Sequence, residues 1–383
     1  MKILQLCPHY VPATQFGGVL RVAHALSKSL VDLGQSVEVV TTNLRDPDNF
    51  LDYEVDTPVK IDGIPVYYEP VIINKYWGLS YRLVLRCWNE IKKADIVYIH
   101  FHYQFISVIG GFICRLLKKK YIYFSHGSLN KFGIQRKNFI LKSLYIKLLE
   151  KSNFQNAHFI AYHSKEEYVN SLKFGNSYIF GNGIDFSSYQ DYKKEFLTEK
   201  LPMVKNKKII LYLGRIARGK GLEFFLKVFS DFLLFNNEVH FVIAGSDERN
   251  YKKELEILIK NLNLIKHVSF LGFTEGIDKT STLYASTLFI LPSYSEGLSI
   301  AMLEAMYMRV PVLVSDQVGL AETIKEKECG FVAPLVHEIW VSELSKVFQS
   351  NLLEIGDKAR KLVENQFSWD IITKRLIERI ENP

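Results

Sequence analysis

Lys208–Ser230 reads KIILYLGRIARGKGLEFFLKVFS, and the order of its three parts decides the fold. Lys208–Leu213 is a short apolar run, the pattern of a strand buried on both faces of a parallel sheet. Gly214–Gly221 (GRIARGKG) is a glycine-rich basic loop. Leu222–Phe235 then carries apolar residues at helical spacing. Strand, glycine-rich turn and helix in that order open a doubly wound α/β sheet. The alternation continues through VHFVIAG (239–245), a helix over Lys252–Leu262, HVSFLG (267–272) and TLFILPS (287–293). A helix near Ser299–Tyr307 and the strands PVLVSD (311–316) and GFVAP (330–334) follow.

The first half repeats the pattern. KILQLC (2–7) is a strand, Val19–Leu33 a helix stopped by Gly34, and SVEVVTT, DIVYIHF, YIYFSH and HFIAYHS are later strands. Residues 35–75 are interrupted by polar positions and their strands are hard to place. The fold class is therefore α/β, with two Rossmann-like domains and a ligand cleft expected between them. The expected division is 1–185 with a C-terminal helix at about 368–383, and 186–367, joined by the polar, Lys-rich segment that follows residue 186.

A chain of 383 residues fits two domains, and 48% hydrophobic with 23% charged residues is a globular composition. Cys7, Cys87, Cys114 and Cys329 lie far apart, which excludes a disulfide scaffold and a zinc finger. The apolar stretch Phe105–Cys114 is shorter than the ~20 residues of a membrane helix. MKILQLCPHY reads as a buried first strand and not as a signal peptide.

Three motifs carry chemistry. GRIARGKG offers backbone N–H groups, a helix N-terminus and the cations Arg215 and Lys220, a setting for phosphate as well as for a plain basic turn. It nearly matches a P-loop, but Gly221 stands where a magnesium-binding hydroxyl would be, so no P-loop metal site is expected. Glu296 and Glu304 bracket EGLSIAMLE, with Gly297 and Ser299 near the helix start. Glu296 falls in the loop and Glu304 about two turns into a helix, roughly 12 Å along its axis, too far for the pair of a glycosidase. A carboxylate can instead accept from the two hydroxyls of a diol; an N-terminal Glu favouring the dipole is the structural alternative. His126 ends a strand, where open sheets bind ligands, and is either a structural hydrogen bonder or a group titrating near neutrality. The histidines lack partner carboxylates at ligand spacing, so no metal is expected.

Together these residues resemble the GT-B glycosyltransferases of family GT4. The matching segments are PHYVPATQFGGVLRVA with Gly17 and Gly18, HGSL at His126, NGID from Asn182, GRIARGKG, Ala244-Gly245, LGF ending at Phe273, EGLSIAMLEAM and PVLVS. EGLS departs from the usual EGFG through Ser299, and Arg309 replaces a small residue before the PV strand. HGSLNKFGIQRKN and the residues after it are similar to a bacterial subgroup that assembles surface polysaccharides.

The resemblance implies transfer of a sugar from a nucleotide-diphosphate donor with retention of configuration and no cofactor or metal. It implies that Arg215 and Lys220 neutralise the diphosphate, Glu304 holds the ribose and Glu296 the donor sugar. Gly297, Leu298 and Ser299 would give backbone contacts, Phe273 would lie beside the base, and Gly18 would close on the diphosphate. His126 would contact the donor sugar, and Gly17, Asn182 and Gly245 are counted among the substrate-binding positions. A nucleotide-sugar epimerase or phosphorylase, or a non-catalytic nucleotide-sugar-binding subunit, are the alternatives.

The net charge is +7, yet residues 71–151 alone hold 15 basic and three acidic side chains. Lys75–Lys93 and Lys131–Lys151 mix those cations with aromatic and aliphatic residues, which suits an anionic membrane interface. A solvated face is the simpler alternative, and no nucleic-acid recognition module is visible. The expected partners are a nucleotide-sugar donor, a glycan or lipid-linked saccharide acceptor and an anionic membrane surface. The expected location is cytoplasmic, at the inner face of the cell membrane.

Overall fold

The computed structural model describes residues 1–16, 18–46, 48–73, 77–131, 134 and 139–382. Gly17, one of the expected binding positions, lies outside them. Contacts divide the chain into Met1–Asn182 with Trp369–Pro383, and Gly183–Ser368.

The first unit holds strands β1 (Lys2–Leu6), β2 (Ser36–Thr42), β3 (Val59–Ile61), β4 (Ile64–Glu69), β5 (Ile96–His100), β6 (Lys120–Phe124), β7 (Phe159–Tyr162) and β8 (Ser177–Ile179). They form one sheet in the order β3-β4-β2-β1-β5-β6-β7-β8, parallel except for β3 against β4. Side chains alternate between the two faces: Ile96 and Tyr98 enter one apolar layer, Val97 and Ile99 the other. The last helix, Trp369–Glu381, returns to this unit because Trp369, Ile372, Leu376 and Ile380 share one stripe, which packs into the first layer.

The second unit holds β9 (Lys208–Leu213), β10 (Val239–Ala244), β11 (Val268–Gly272), β12 (Leu288–Leu291), β13 (Val312–Ser315) and β14 (Phe331–Ala333). Their order is β11-β10-β9-β12-β13-β14, and all neighbours are parallel. The order reverses between β1 and β5 in the first sheet and between β9 and β12 in the second. Those are the points where such sheets open a crevice at the C-terminal strand ends.

The polar, Lys-rich segment after residue 186 packs onto the second unit, because Tyr189, Leu197 and Val204 are buried in its core. Backbone and hydroxyl bonds reinforce this: Lys193 N–H donates to Ser281 Oγ at 2.8 Å, and Thr280 Oγ1 to Ser188 O at 3.4 Å. Apolar anchors spaced through a Lys-rich stretch are easily hidden by its charge.

Two glycines make the second switch point possible. Gly221 has φ of +69° and a Cβ there would overlap the carbonyl of Pro292, just after β12. Gly245 has φ of +142° and a Cβ would overlap the carbonyl of Gly214, just after β9. Gly221→Ala and Gly245→Ala should each lose at least about 2 kcal/mol in denaturant unfolding. Gly219→Ala, with open space around it, should stay within about 0.5 kcal/mol of the parent.

Candidate functional site

At the β9/β12 switch point two loops cross. The loop after β9 tightens into a turn at Arg218–Lys220 and enters the helix Leu222–Phe232 through Gly221. The loop after β12 runs through Ser293 and Glu296 to Ser299, which caps the helix Ile300–Tyr307. Tyr294 N–H donates to Gly219 O at 3.1 Å, tying loop to loop. On the same crossing, the Lys220 ammonium and the Glu296 carboxylate form an ion pair, both about four-fifths buried. Glu296 is fixed from its backbone as well: its N–H donates to Gln317 O and its O accepts from Gly319 N.

Glu304 lies one turn into the second helix and is buried. It accepts from the Tyr189 hydroxyl and from Lys279 Nζ, the latter at 2.7 Å, and both contacts fall on Oε1. Burial and the Glu304 charge hold the Tyr189 hydroxyl protonated. Each of the two glutamates has its own lysine, Glu296 with Lys220 and Glu304 with Lys279. Lys279 and Tyr189 carry no motif, since one sits in an ordinary helix, Gly276–Tyr284, and the other in the polar, Lys-rich segment after residue 186.

The remaining expected residues of this unit fall into two groups. Gly297 and Leu298 are half-buried beside Glu296, and Gly297 O accepts from Gly319 N at 3.1 Å. Ser299 Oγ accepts from Met302 N at 3.3 Å, so its side chain serves the helix first. Arg215 is exposed and paired with Glu248 at 2.7 Å, a partner that the sequence did not single out. Gly245 gives its N–H to Gly272 O at 2.7 Å, which takes that donor away from a ligand. Phe273 follows β11 with its ring 65% exposed, open to stacking.

In the first unit, Gly18 opens the helix Gly18–Asp32 with open space around its Cα. Asn182 has a buried Oδ1 without a hydrogen-bond partner. His126 sits in a relay of three imidazoles. His163 Nδ1 lies 2.9 Å from Gly181 O, which can only accept, so this nitrogen carries the proton. His126 Nδ1 must then donate to His163 Nε2 at 2.8 Å, and His100 Nδ1 to His126 Nε2 at 3.0 Å. Both ring nitrogens of His126 are thus engaged within the protein. Only its backbone and ring C–H groups can meet a sugar while the relay stands. Burial first, then His163 and His100, hold His126 neutral well below its usual range, so titration near neutrality does not describe it.

Burial also lowers His9 and His240 to about 4, and His100 and His102 to about 3, from the ordinary 6.5. Below pH 6.5 the unfolded chain takes up protons that the native chain excludes, so stability falls as pH falls. Glu150, pushed up by burial to about 7, acts in the opposite sense above 4.5, but it is one group against several. The unfolding free energy should fall clearly between pH 6.5 and pH 5, by up to roughly 1.4 kcal/mol per pH unit for each of these buried histidines, and the melting temperature with it. A flat profile would contradict the burial of His100, His102 and His126 in their neutral form.

With the geometry in place, the chain can be set beside known proteins. Residues 16–188 match the family described as Glycosyltransferase Family 4, and residues 193–369 match Glycosyl transferases group 1. The capsular polysaccharide biosynthesis glycosyltransferase CapM of Staphylococcus aureus is 31% identical over 56% of this chain and 55% of its own length. The chain thus spans about half of that relative. An uncharacterized glycosyltransferase of Methanocaldococcus jannaschii is 27% identical over 98% of this chain and 97% of its own. Anabaena HepE, solved with UDP and glucose, superposes with a TM-score of 0.72 at 18% identity, covering 100% of both chains. The two matched families follow each other along nearly the whole chain, each on one doubly wound unit, and the chain belongs to the family 4 type of GT-B glycosyltransferases.

Proposed function

We propose that the chain moves a sugar from a nucleotide-diphosphate donor to a glycan acceptor with retention of anomeric configuration. The acceptor is a lipid-linked intermediate of a surface polysaccharide. The observation that carries this reading is the Lys220–Glu296 pair at the β9/β12 switch point, with Glu304 held beyond it by Lys279 and Tyr189. The capsule enzyme among the relatives and the UDP complex of the Anabaena protein support the substrate class.

The chemistry follows from charge. A departing nucleoside diphosphate gains negative charge in the transition state, and preorganised cations stabilise charge where it develops. Lys220 is held at the crossing by Glu296, so an ammonium is already placed there before a donor arrives. Arg215 is tied only to the exposed Glu248 and can turn to a phosphate at small cost. Glu296 would then orient donor hydroxyls. Glu304 has Oε2 left for the ribose diol, because its two protein contacts share Oε1. Phe273 offers its face to the base. A phosphate oxygen of the leaving group would take the acceptor proton on the same face as attack, and no metal is needed.

A thermal-shift screen over UDP-, GDP- and ADP-sugars should single out one base, since a ligand of the native state raises its melting temperature. Lys220→Met should cut transfer at least about 100-fold, the scale of losing one preorganised charge partner. Glu304→Gln should weaken nucleotide binding while keeping the buried site filled. Normal turnover in both variants would remove the site assignment. A free epimer, or a requirement for phosphate, would move the chain to the epimerase or phosphorylase reading.

A further inference from the structure

The turn that carries His126 has an unusual hand. It leaves β6 through Ser125 and is closed by Ser128 N–H donating to Ser125 O at 2.9 Å. Its two central residues both lie in the left-handed region, His126 at φ of +46° and Gly127 at +75°. Two positive φ values in a row mark the mirror image of the common turn, a conformation that glycine takes freely and a bulky residue takes under strain. The closing hydrogen bond does not choose the hand, because the turn and its mirror image share it. The central His126–Gly127 peptide does, since its N–H points to opposite faces of the turn in the two forms.

Glu167 receives that N–H. Gly127 N–H donates to Glu167 Oε1 at 2.6 Å, and the Ser125 hydroxyl donates to the same oxygen. Glu167 Oε2 accepts from His163 N–H at 2.6 Å. Ser164–Glu167 (SKEE) has the spacing of a capping box, and Ser164 Oγ caps the helix Lys165–Asn170 by accepting from Glu167 N–H at 3.0 Å. In that motif the glutamate reaches back to the backbone of the capping residue itself. Here its carboxylate passes on to His163 and to the turn after the paired strand β6. One side chain thus ties together the ends of β6 and β7, which carry His126 and His163.

The consequence falls on the His126 ring. With the left-handed turn, His126 Nδ1 donates to His163 Nε2 at 2.8 Å and the two ring centroids lie 4.6 Å apart. A turn of the common hand would carry the side chain to the other face and break the relay.

We infer that Glu167 is a positioning residue for sugar transfer: it selects the left-handed turn at His126–Gly127 and so sets the orientation in which His126 meets the donor sugar. The inference deepens the functional proposal and rests on its donor site, with His126 facing the sugar.

Glu167→Gln and Glu167→Ala in the full chain test it, with the nucleotide sugar selected by the thermal-shift screen. The amide keeps one acceptor oxygen but turns an NH2 group toward the other donor. Glu167→Gln should therefore lower kcat about tenfold and Glu167→Ala about 100-fold, the scale of a reacting geometry displaced by roughly 1 Å. The melting-temperature shift given by the nucleoside diphosphate alone should keep the parent's value in both, because Lys220 and Glu304 are untouched. Nuclear magnetic resonance with isotope-labelled histidine should show the His126 proton on Nδ1 in the parent and a mixture of Nδ1 and Nε2 forms in Glu167→Ala. Parental kcat in either variant would overturn the assignment, as would an unchanged His126 signal in Glu167→Ala. So would loss of the nucleoside diphosphate shift together with transfer, which marks Glu167 as a support of the whole fold. If Glu167→Ala does not fold, the kcat of Glu167→Gln decides. A parent with neither a nucleotide-sugar shift nor transfer would instead sink the donor reading, and the His126 signal would then decide whether Glu167 sets the turn.

Discussion

The Lys220–Glu296 ion pair is the contact on which the second unit's site depends. It forms because two loops leave the sheet from adjacent strands, β9 and β12, and are forced against each other where strand order reverses. Gly221 lets the first loop pass against Pro292, and the Tyr294–Gly219 hydrogen bond fixes the crossing. A lysine about four-fifths buried needs a counter-charge, and Glu296 supplies it until a more highly charged ligand competes. On the proposed donor assignment, a diphosphate would replace this bond.

The second lysine–glutamate pair follows a different logic. Glu304 is more deeply buried than Glu296 and receives both Lys279 and the Tyr189 hydroxyl. Removing either partner would leave a charge poorly solvated, so this group is built for constancy. One carboxylate sits at an exchangeable pair and the other at a fixed one. Such a division suits a substrate with a reacting end and a handle.

Much of this was legible in the amino acids. All six strands of the second unit read directly, because each is an apolar run bounded by Gly, Pro or a polar residue, the half-buried edge strands β11 and β14 included. Strands β3, β4 and β8 did not, since they lie toward the sheet edges and VKI or SYI are too short and too polar-flanked to stand out. Lys220 and Glu296 were visible because loop chemistry constrains them, and Glu304 because it follows Glu296 at a fixed spacing in EGLSIAMLE. Lys279, Tyr189 and Glu248 were not, since a partner brought in from a distant element leaves no local pattern. The relay around His126 was hidden for the same reason: His100, His126 and His163 come from the ends of β5, β6 and β7, and only the sheet makes them neighbours. The charge surplus was visible as a number, but the pairing of Arg82 and Arg86 with Asp56 and Glu69 was not.

The donor assignment is the central claim, and a crystal structure with the nucleoside diphosphate selected by the screen tests it most directly. The account predicts phosphate oxygens within hydrogen-bond reach of Lys220 Nζ, displacing Glu296, and a ribose diol on Glu304 Oε2 with the Lys279 contact intact. A nucleotide bound elsewhere, with Lys220 still paired to Glu296 and Glu304 untouched, would contradict it.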